Sequence, residues 1–268
     1  MRLSALLLLI GCGRVDMLVD ARDTDVAVPD VPMSDTPMSD APVPDTPMPD
    51  AVTLPDGLVA WYPMDTAANG TVRDATGHGH DATCDVAACP LLTTEGRIGN
   101  AYAFDGLDDL LRVPPAAVFD SSSSFTVTAW IARGSGNPDG CLIGKILGSD
   151  FGNSWQACVG ASGLLTFYSS TIVNNVTIDH PQDSNLLAEL QWYHIALWSD
   201  GGTKATYIGG LLVKSEELPC VFDQNPITIG GDIDSGMPTV LFRGRIDDVQ
   251  IYNRALTPAE LQALAEVK

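Results

Sequence analysis

All 18 aromatic residues of this 268-residue chain lie beyond residue 56, and residues 12–56 hold ten aspartates, two arginines and no Phe, Tyr or Trp. From Asp20 to Asp50 an aspartate stands at every fifth position, and prolines occupy 29, 32, 37, 42, 44, 47 and 49. A period of five matches neither the 3.6 of a helix nor the 2 of a strand, so the repeat marks no packed face. Proline fixes φ and removes backbone donors, and evenly spaced like charges repel, so residues 12–56 are expected to form an extended, solvated, polyproline-like stalk. At ~3.1 Å per residue such a stalk reaches at most ~140 Å. Aspartates five apart in an extended chain do not converge on one ion, so the repeat itself is not read as a metal motif. A buried core must therefore be built by residues 57–268, a stretch long enough for one full domain.

Ahead of the stalk, residues 1–11 carry one basic residue, an apolar run from Leu3 to Ile10 and then Gly11, followed by Cys12. Such a run is too short to span a ~30 Å hydrocarbon core and reads as a cleaved export signal. Leu9-Ile10-Gly11-Cys12 resembles the bacterial lipobox, which implies that Cys12 becomes a lipidated N-terminus and membrane anchor. Gly13 replaces the aspartate of an inner-membrane retention signal, so the expected address is the outer membrane, facing the periplasm or the cell surface. The formal charge is −20, from 34 acids and 14 bases, about −8 of it on the stalk and −13 on the domain. A polyanion would be repelled, which excludes nucleic acid as a partner.

Beyond residue 56 the pattern becomes short β-rich runs punctuated by turn residues. GLVAWYPMD alternates Leu58, Ala60, Tyr62 against Val59, Trp61, and FTVTAWIAR alternates Phe125, Val127, Ala129, Ile131 against Thr126, Thr128, Trp130. HIALWSDGGTKATYIGGLLVKS holds two glycine turns and predicts three meandering strands. The chain ends in one short helix begun by the capping box Thr257-Pro258-Ala259-Glu260, with Leu261, Leu264 and Val267 on one face. Many strands and one helix predict an all-β, two-sheet antiparallel sandwich.

Several phrases, in order, resemble the laminin-G-like, concanavalin A-like jelly-roll family of bacterial secreted proteins. They are GLVAWYPMD with DATGHGHDAT, GRIGNAYAFDGLDDLLRVP, FTVTAWI, WYHIALWSDG, and ITIGGD with FRGRIDDVQIYNRALTPAEL. Together they cover essentially all of 57–268, and the resemblance implies a jelly roll with roughly six or seven strands per sheet. It also implies a structural calcium tying the exit of the first strand to the last long strand. The matching positions are Asp65 and Asp247, with backbone oxygens near Gly99 and Asn100. Asp105 and Asp108 form a second candidate cluster, for which an Asx turn at Asp105-Gly106 is the simpler reading, as simple solvation is for Asp248.

Enzymes of this fold that cleave glycans use a strand-borne E-x-D-x-E phrase, and none of the six glutamates makes one. Asp232 and Asp234 stand at i and i+2 but precede Gly236, so a solvated loop or metal edge is expected there. The four histidines lack a G-x-S-x-G partner, and His194 inside WYHIALW reads as a packed core residue. His78 and His80 ahead of Cys84 and Cys89 invite a zinc reading, which the oxidising compartment and the spacing oppose. Cys84 and Cys89 bracket a short loop and are expected to bridge. Cys141 and Cys158 lie on consecutive strands and can bridge, leaving Cys220 odd, while a Cys158–Cys220 pairing stays open.

These readings predict a non-catalytic module that binds carbohydrate or an extracellular or envelope protein. A purely structural envelope lipoprotein is the alternative, and a glycan-cleaving enzyme the third. Trp155 and Tyr168 could form the aromatic platform of a sugar site, or pack inward.

Overall fold

The computed structural model describes residues 54–120, 124–136, 138–147, 152–173, 176–218, 220 and 224–267. The signal segment 1–11, Cys12 and the stalk as far as residue 53 lie outside the described residues. The first strands are β1 (Leu58–Tyr62), β2 (Thr71–Val72), β3 (Ala82–Thr83), β4 (Leu91–Thr93), β5 (Ala101–Asp105) and β6 (Leu111–Val113). A single turn of helix, α1 (Ala117–Asp120), precedes β7 (Ser124–Arg133), β8 (Gly140–Leu147), β9 (Gly152–Val159), β10 (Leu164–Val173) and β11 (Val176–Leu186). Then come β12 (Tyr193–Asp200), β13 (Thr203–Ile208) and β14 (Leu211–Glu217), the three strands expected from the two glycine turns. The chain closes with β15 (Ile227–Ile229), β16 (Asp232–Asp234), β17 (Met237–Thr239), β18 (Arg243–Tyr252) and helix α2 (Pro258–Glu266).

Two eight-stranded antiparallel sheets result. The first runs β14-β13-β12-β7-β18-β5-β4 with β1 also on β18, the second β11-β10-β9-β8-β15-β6-β3-β2, and β16 with β17 forms a separate hairpin. Alternation places Tyr62, Phe104, Ile131, Trp155, Phe167 and Phe242 between the sheets, all essentially buried. The alternation of GLVAWY breaks, because a bulge between Leu58 and Ala60 sends Val59, Ala60 and Tyr62 all to the core.

β7 is buried on both faces. Its second face, Thr126 and Thr128, lies under the C-terminal segment, where Thr126 Oγ1 donates to Arg254 O (2.9 Å) and accepts from Leu256 N (3.0 Å). There Tyr207, Tyr252, Leu256, Leu261 and Leu264 make a second apolar cluster, and Leu54, from the span read as stalk, packs against it.

Helix α2 has the expected box: Thr257 Oγ1 accepts from Glu260 N (3.3 Å), and Glu260 Oε2 accepts from Thr257 N (2.7 Å). Thr257→Ala is expected to cost about 1 kcal/mol of unfolding free energy in a urea titration, with the helix held in place by Leu261 and Leu264.

Both expected disulfides are present, Cys84–Cys89 and Cys141–Cys158. The first consumes the two thiols on which the zinc reading depended. Cys220 is a buried free thiol, which closes the Cys158–Cys220 alternative.

Candidate functional site

The outward side chains of the second sheet, on β8 to β11, floor a cavity of about 510 Å³. Alternation decides what it shows. Trp155, Ala157, Leu165 and Phe167 point into the core, so Gln156, Cys158, Thr166 and Tyr168 point out. Trp155 is therefore no platform, being 2% exposed and stacked on Phe125 (ring centroids 5.4 Å apart). Tyr168 lines the cavity. Leu164, Val240 and the Cys141–Cys158 disulfide supply its apolar surface.

Four carboxylates surround that surface: Asp139, Asp183, Asp232 and Asp234. Thr166 Oγ1 donates to Asp183 Oδ1 (2.8 Å), Ala161 N to Asp139 Oδ1 (2.6 Å), Ile233 N to Asp232 Oδ1 (2.7 Å) and Thr239 Oγ1 to Asp234 Oδ2 (2.7 Å). Asp232 and Asp234 were expected in a solvated loop. They instead form strand β16, whose hairpin walls the cavity and leaves Asp232 buried. The described lining contains no Lys, Arg or His.

A second constellation sits where β18 changes partners. Its first half pairs with β5 and its second half with β1, across a register shift between Asp247 and Gln250 where Asp248 takes φ +50°. At this bulge Asp247 meets the loop before Gly99, and Asp248 meets Trp61 of β1. Asp247 Oδ2 accepts from Arg97 N and Ile98 N, both at 2.8 Å, while its buried Oδ1 has no partner. Asp65 Oδ1 accepts from Asn100 N (2.8 Å), and a Cβ on Gly99 would lie 2.4 Å from that oxygen. Asp248 is not simply solvated: Trp61 Nε1 donates to its Oδ1 (2.6 Å) and Gln250 Nε2 to its Oδ2 (2.8 Å).

Burial first, then the charges of Asp248 and Asp65, pushes the Asp247 carboxyl up to about 6 against the two backbone donors. Burial also raises Asp248. Arg97 offers them no charge partner, its guanidinium lying 4.5 Å over the Trp130 ring. An orphaned buried oxygen and unbalanced negative charge fit a divalent hard cation, which Asp65 and Asp247 would hold.

The Asp105 cluster is also real and larger than expected. Asp105, Asp108 and Asp109 bring carboxylate oxygens within 4.8 Å of one another, enough to bind a metal ion. The Asx turn is there too, with Leu107 N donating to Asp105 Oδ1 (2.7 Å). Asp109, whose Oδ2 accepts from Asp105 N (2.8 Å), was not anticipated.

The sandwich has known counterparts. A laminin-G-type model described as the concanavalin A-like lectin/glucanases superfamily matches residues 104–262. The chain belongs to the concanavalin A-like lectin/glucanases superfamily.

Solved structures similar to it include domain 4 of AbnA, a GH43 extracellular arabinanase from Geobacillus stearothermophilus, solved with arabinotriose. It is 22% identical with TM-score 0.58, covering 78% of this chain and 98% of that one. The binding domain of Paraclostridial Mosquitocidal Protein 1 is 17% identical with TM-score 0.59, over 78% of this chain and 52% of that one. Trypanosoma rangeli sialidase with the inhibitor DANA is 18% identical with TM-score 0.56, over 80% of this chain and 33% of that one. The chain thus spans about half of the second and a third of the third, and at these identities the likeness establishes the fold. A comparison with curated proteins finds no match.

Sequence reasoning reached Tyr168, Asp232 and Asp234 but missed Asp139, Asp183, Gln156 and Thr166 in the cavity. Alternating polar residues in LLTFYSS gave half of the signal. The other half, that Asp183 lies opposite Thr166, depends on a pairing with a bulge between Leu164 and Thr166.

Proposed function

We propose that this chain is a non-catalytic carbohydrate-binding module, held from a bacterial outer membrane by lipidated Cys12 and spaced from it by the Asp/Pro stalk. The observation that carries the reading is the cavity on the second sheet, which Tyr168 lines together with Gln156, Thr166 and the aspartates, an aromatic ring among hydrogen-bonding groups. Its volume of about 510 Å³ suits a few sugar rings. The arabinanase domain solved with arabinotriose supports a saccharide ligand. All four carboxylates accept from protein donors and no glutamate is among the described lining residues, which suits the aspartates to receive ligand hydroxyls instead of protonating a leaving group. A calcium ion between Asp65, Asp247 and the Gly99 loop would be structural, pinning the loop to the sheet.

The test is an oligosaccharide panel read by calorimetry on the full chain in detergent. Binding of at least one member is expected, and Tyr168→Ala is expected to weaken it about tenfold, the equivalent of ~1.4 kcal/mol of stacking, at an unchanged melting temperature. An empty panel at millimolar ligand overturns the reading, and steady release of reducing ends overturns its non-catalytic part.

A further inference from the structure

The electrostatics of the cavity go further than its shape. Asp139, Asp183 and Asp234 each give one carboxylate oxygen to a protein donor, and the second oxygen of each takes no protein hydrogen bond among the described residues. These acceptors line one cavity together with Asp232, and no cationic side chain shares the described lining. Arg133, whose Nη1 donates to the lining carbonyl of Ala161 (3.2 Å), is paired with Glu189 (3.5 Å), and the domain as a whole carries a charge of about −13. Nor do the carboxylates gather as a chelate: among the described residues the converging acidic trio is Asp105, Asp108 and Asp109, outside this cavity. Spread acceptors around an apolar floor suit a ligand that brings positive charge at one or two points and apolar ring faces between them. An anionic ligand would enter against the field of four carboxylates.

We infer that the cavity selects saccharides carrying a protonated amine, preferring amino sugars to neutral sugars of the same length and rejecting uronic acids. The inference rests on the carbohydrate-binding reading. In it, Tyr168 and the disulfide surface meet a ring face, and the spare oxygens of Asp183 and Asp234 receive the ammonium group through charge-assisted hydrogen bonds. A protonated amine carried by a lysine-rich peptide shares this chemistry, and the test separates the two.

The experiment compares four tetramers by calorimetry on the full chain in detergent at about pH 5.5, where amino-sugar amines are protonated: glucosamine, N-acetylglucosamine, a glucuronate-containing tetramer and tetralysine. Glucosamine tetramer is expected to bind at least tenfold tighter than its N-acetylated counterpart, and the glucuronate tetramer not at all. The preference is expected to shrink severalfold at about 0.5 M salt, where screening reaches within the cavity width. In Asp183→Asn/Asp234→Asn the amine preference is expected to collapse to within about twofold, whatever the absolute affinities. Asparagine keeps an acceptor for Thr166 and Thr239, and an unchanged melting temperature certifies the fold. Equal binding of the glucosamine and N-acetylglucosamine tetramers overturns charge selection and leaves the carbohydrate module standing. Tetralysine binding as tightly as glucosamine tetramer overturns the saccharide part. Failure of every saccharide tetramer overturns this inference, and the carbohydrate reading falls with it only when the wider oligosaccharide panel is empty too.

Discussion

Chelating calcium from the folded protein is expected to lower its unfolding free energy by about 3 kcal/mol, and Asp247→Asn is expected to erase that response. The size follows from mass action: an ion that binds only the native state at about a hundredfold its dissociation constant contributes ~2.7 kcal/mol. For a domain of this length that corresponds to roughly 5–10 °C in melting temperature. The location follows from Asp247, which is fully buried, gives one oxygen to two backbone donors and leaves the other orphaned beside Asp65 and Asp248. Without an ion, burial first and then the charges of Asp248 and Asp65 raise the Asp247 carboxyl. Replacement by asparagine removes one buried charge and still offers an oxygen to Arg97 N and Ile98 N. The metal-free variant should therefore be as stable as the metal-free parent, or more so, and indifferent to chelator. The measurement is thermal unfolding of both proteins with calcium and with chelator at matched ionic strength. A parent that melts identically in the two buffers would remove calcium from this site. A chelator response retained in Asp247→Asn would move the ion elsewhere, with the Asp105, Asp108 and Asp109 trio next in line.

The same region shows how far the sequence could be read. Local signals were sufficient where one residue's role depends on its immediate neighbours: the glycine turns of β12 to β14, the capping box of α2 and the Asx turn at Asp105. They were insufficient wherever a role depends on which strand lies alongside. By sequence Asp248 reads as simply solvated. The bulge at the point where β18 exchanges β5 for β1 gives it a positive φ and two side-chain donors instead. Asp232 and Asp234 read as loop residues because Gly236 follows, yet that glycine is the turn of a hairpin that walls the cavity. Trp155 and Tyr168 are indistinguishable as candidates until alternation is tied to a particular sheet face. Burial of β7 on both sides is hidden for a related reason, since its cover comes from the C-terminal segment.

Acidification through the range pH 6.5 to 4 is expected to cost the protein about 3 kcal/mol through one residue, His194. This histidine is 4% exposed on β12, stands edge-on to Trp130 with ring centroids 5.3 Å apart, and has an unpartnered Nδ1. Burial holds its pKa down at about 4, against 6.5 for the free side chain. Between those values the unfolded chain binds a proton that the folded chain refuses, so stability rises with pH across the window. The full contribution is present above pH 6.5 and is lost as pH falls through 4, at ~1.4 kcal/mol for each pH unit crossed. Other groups act in overlapping ranges. Glu260, held at about 2 chiefly by Arg254, begins to lose its contribution only below its ordinary value of 4.5. Asp247 would slope the other way in metal-free protein, so the comparison belongs in saturating calcium. His194→Phe keeps an aromatic ring against Trp130 and removes the titration. Urea midpoints measured from pH 7.5 to 4.5 should fall steeply for the parent and much less for the variant. Parallel curves would mean that His194 is protonated in place, with an acceptor or water path that its burial does not suggest.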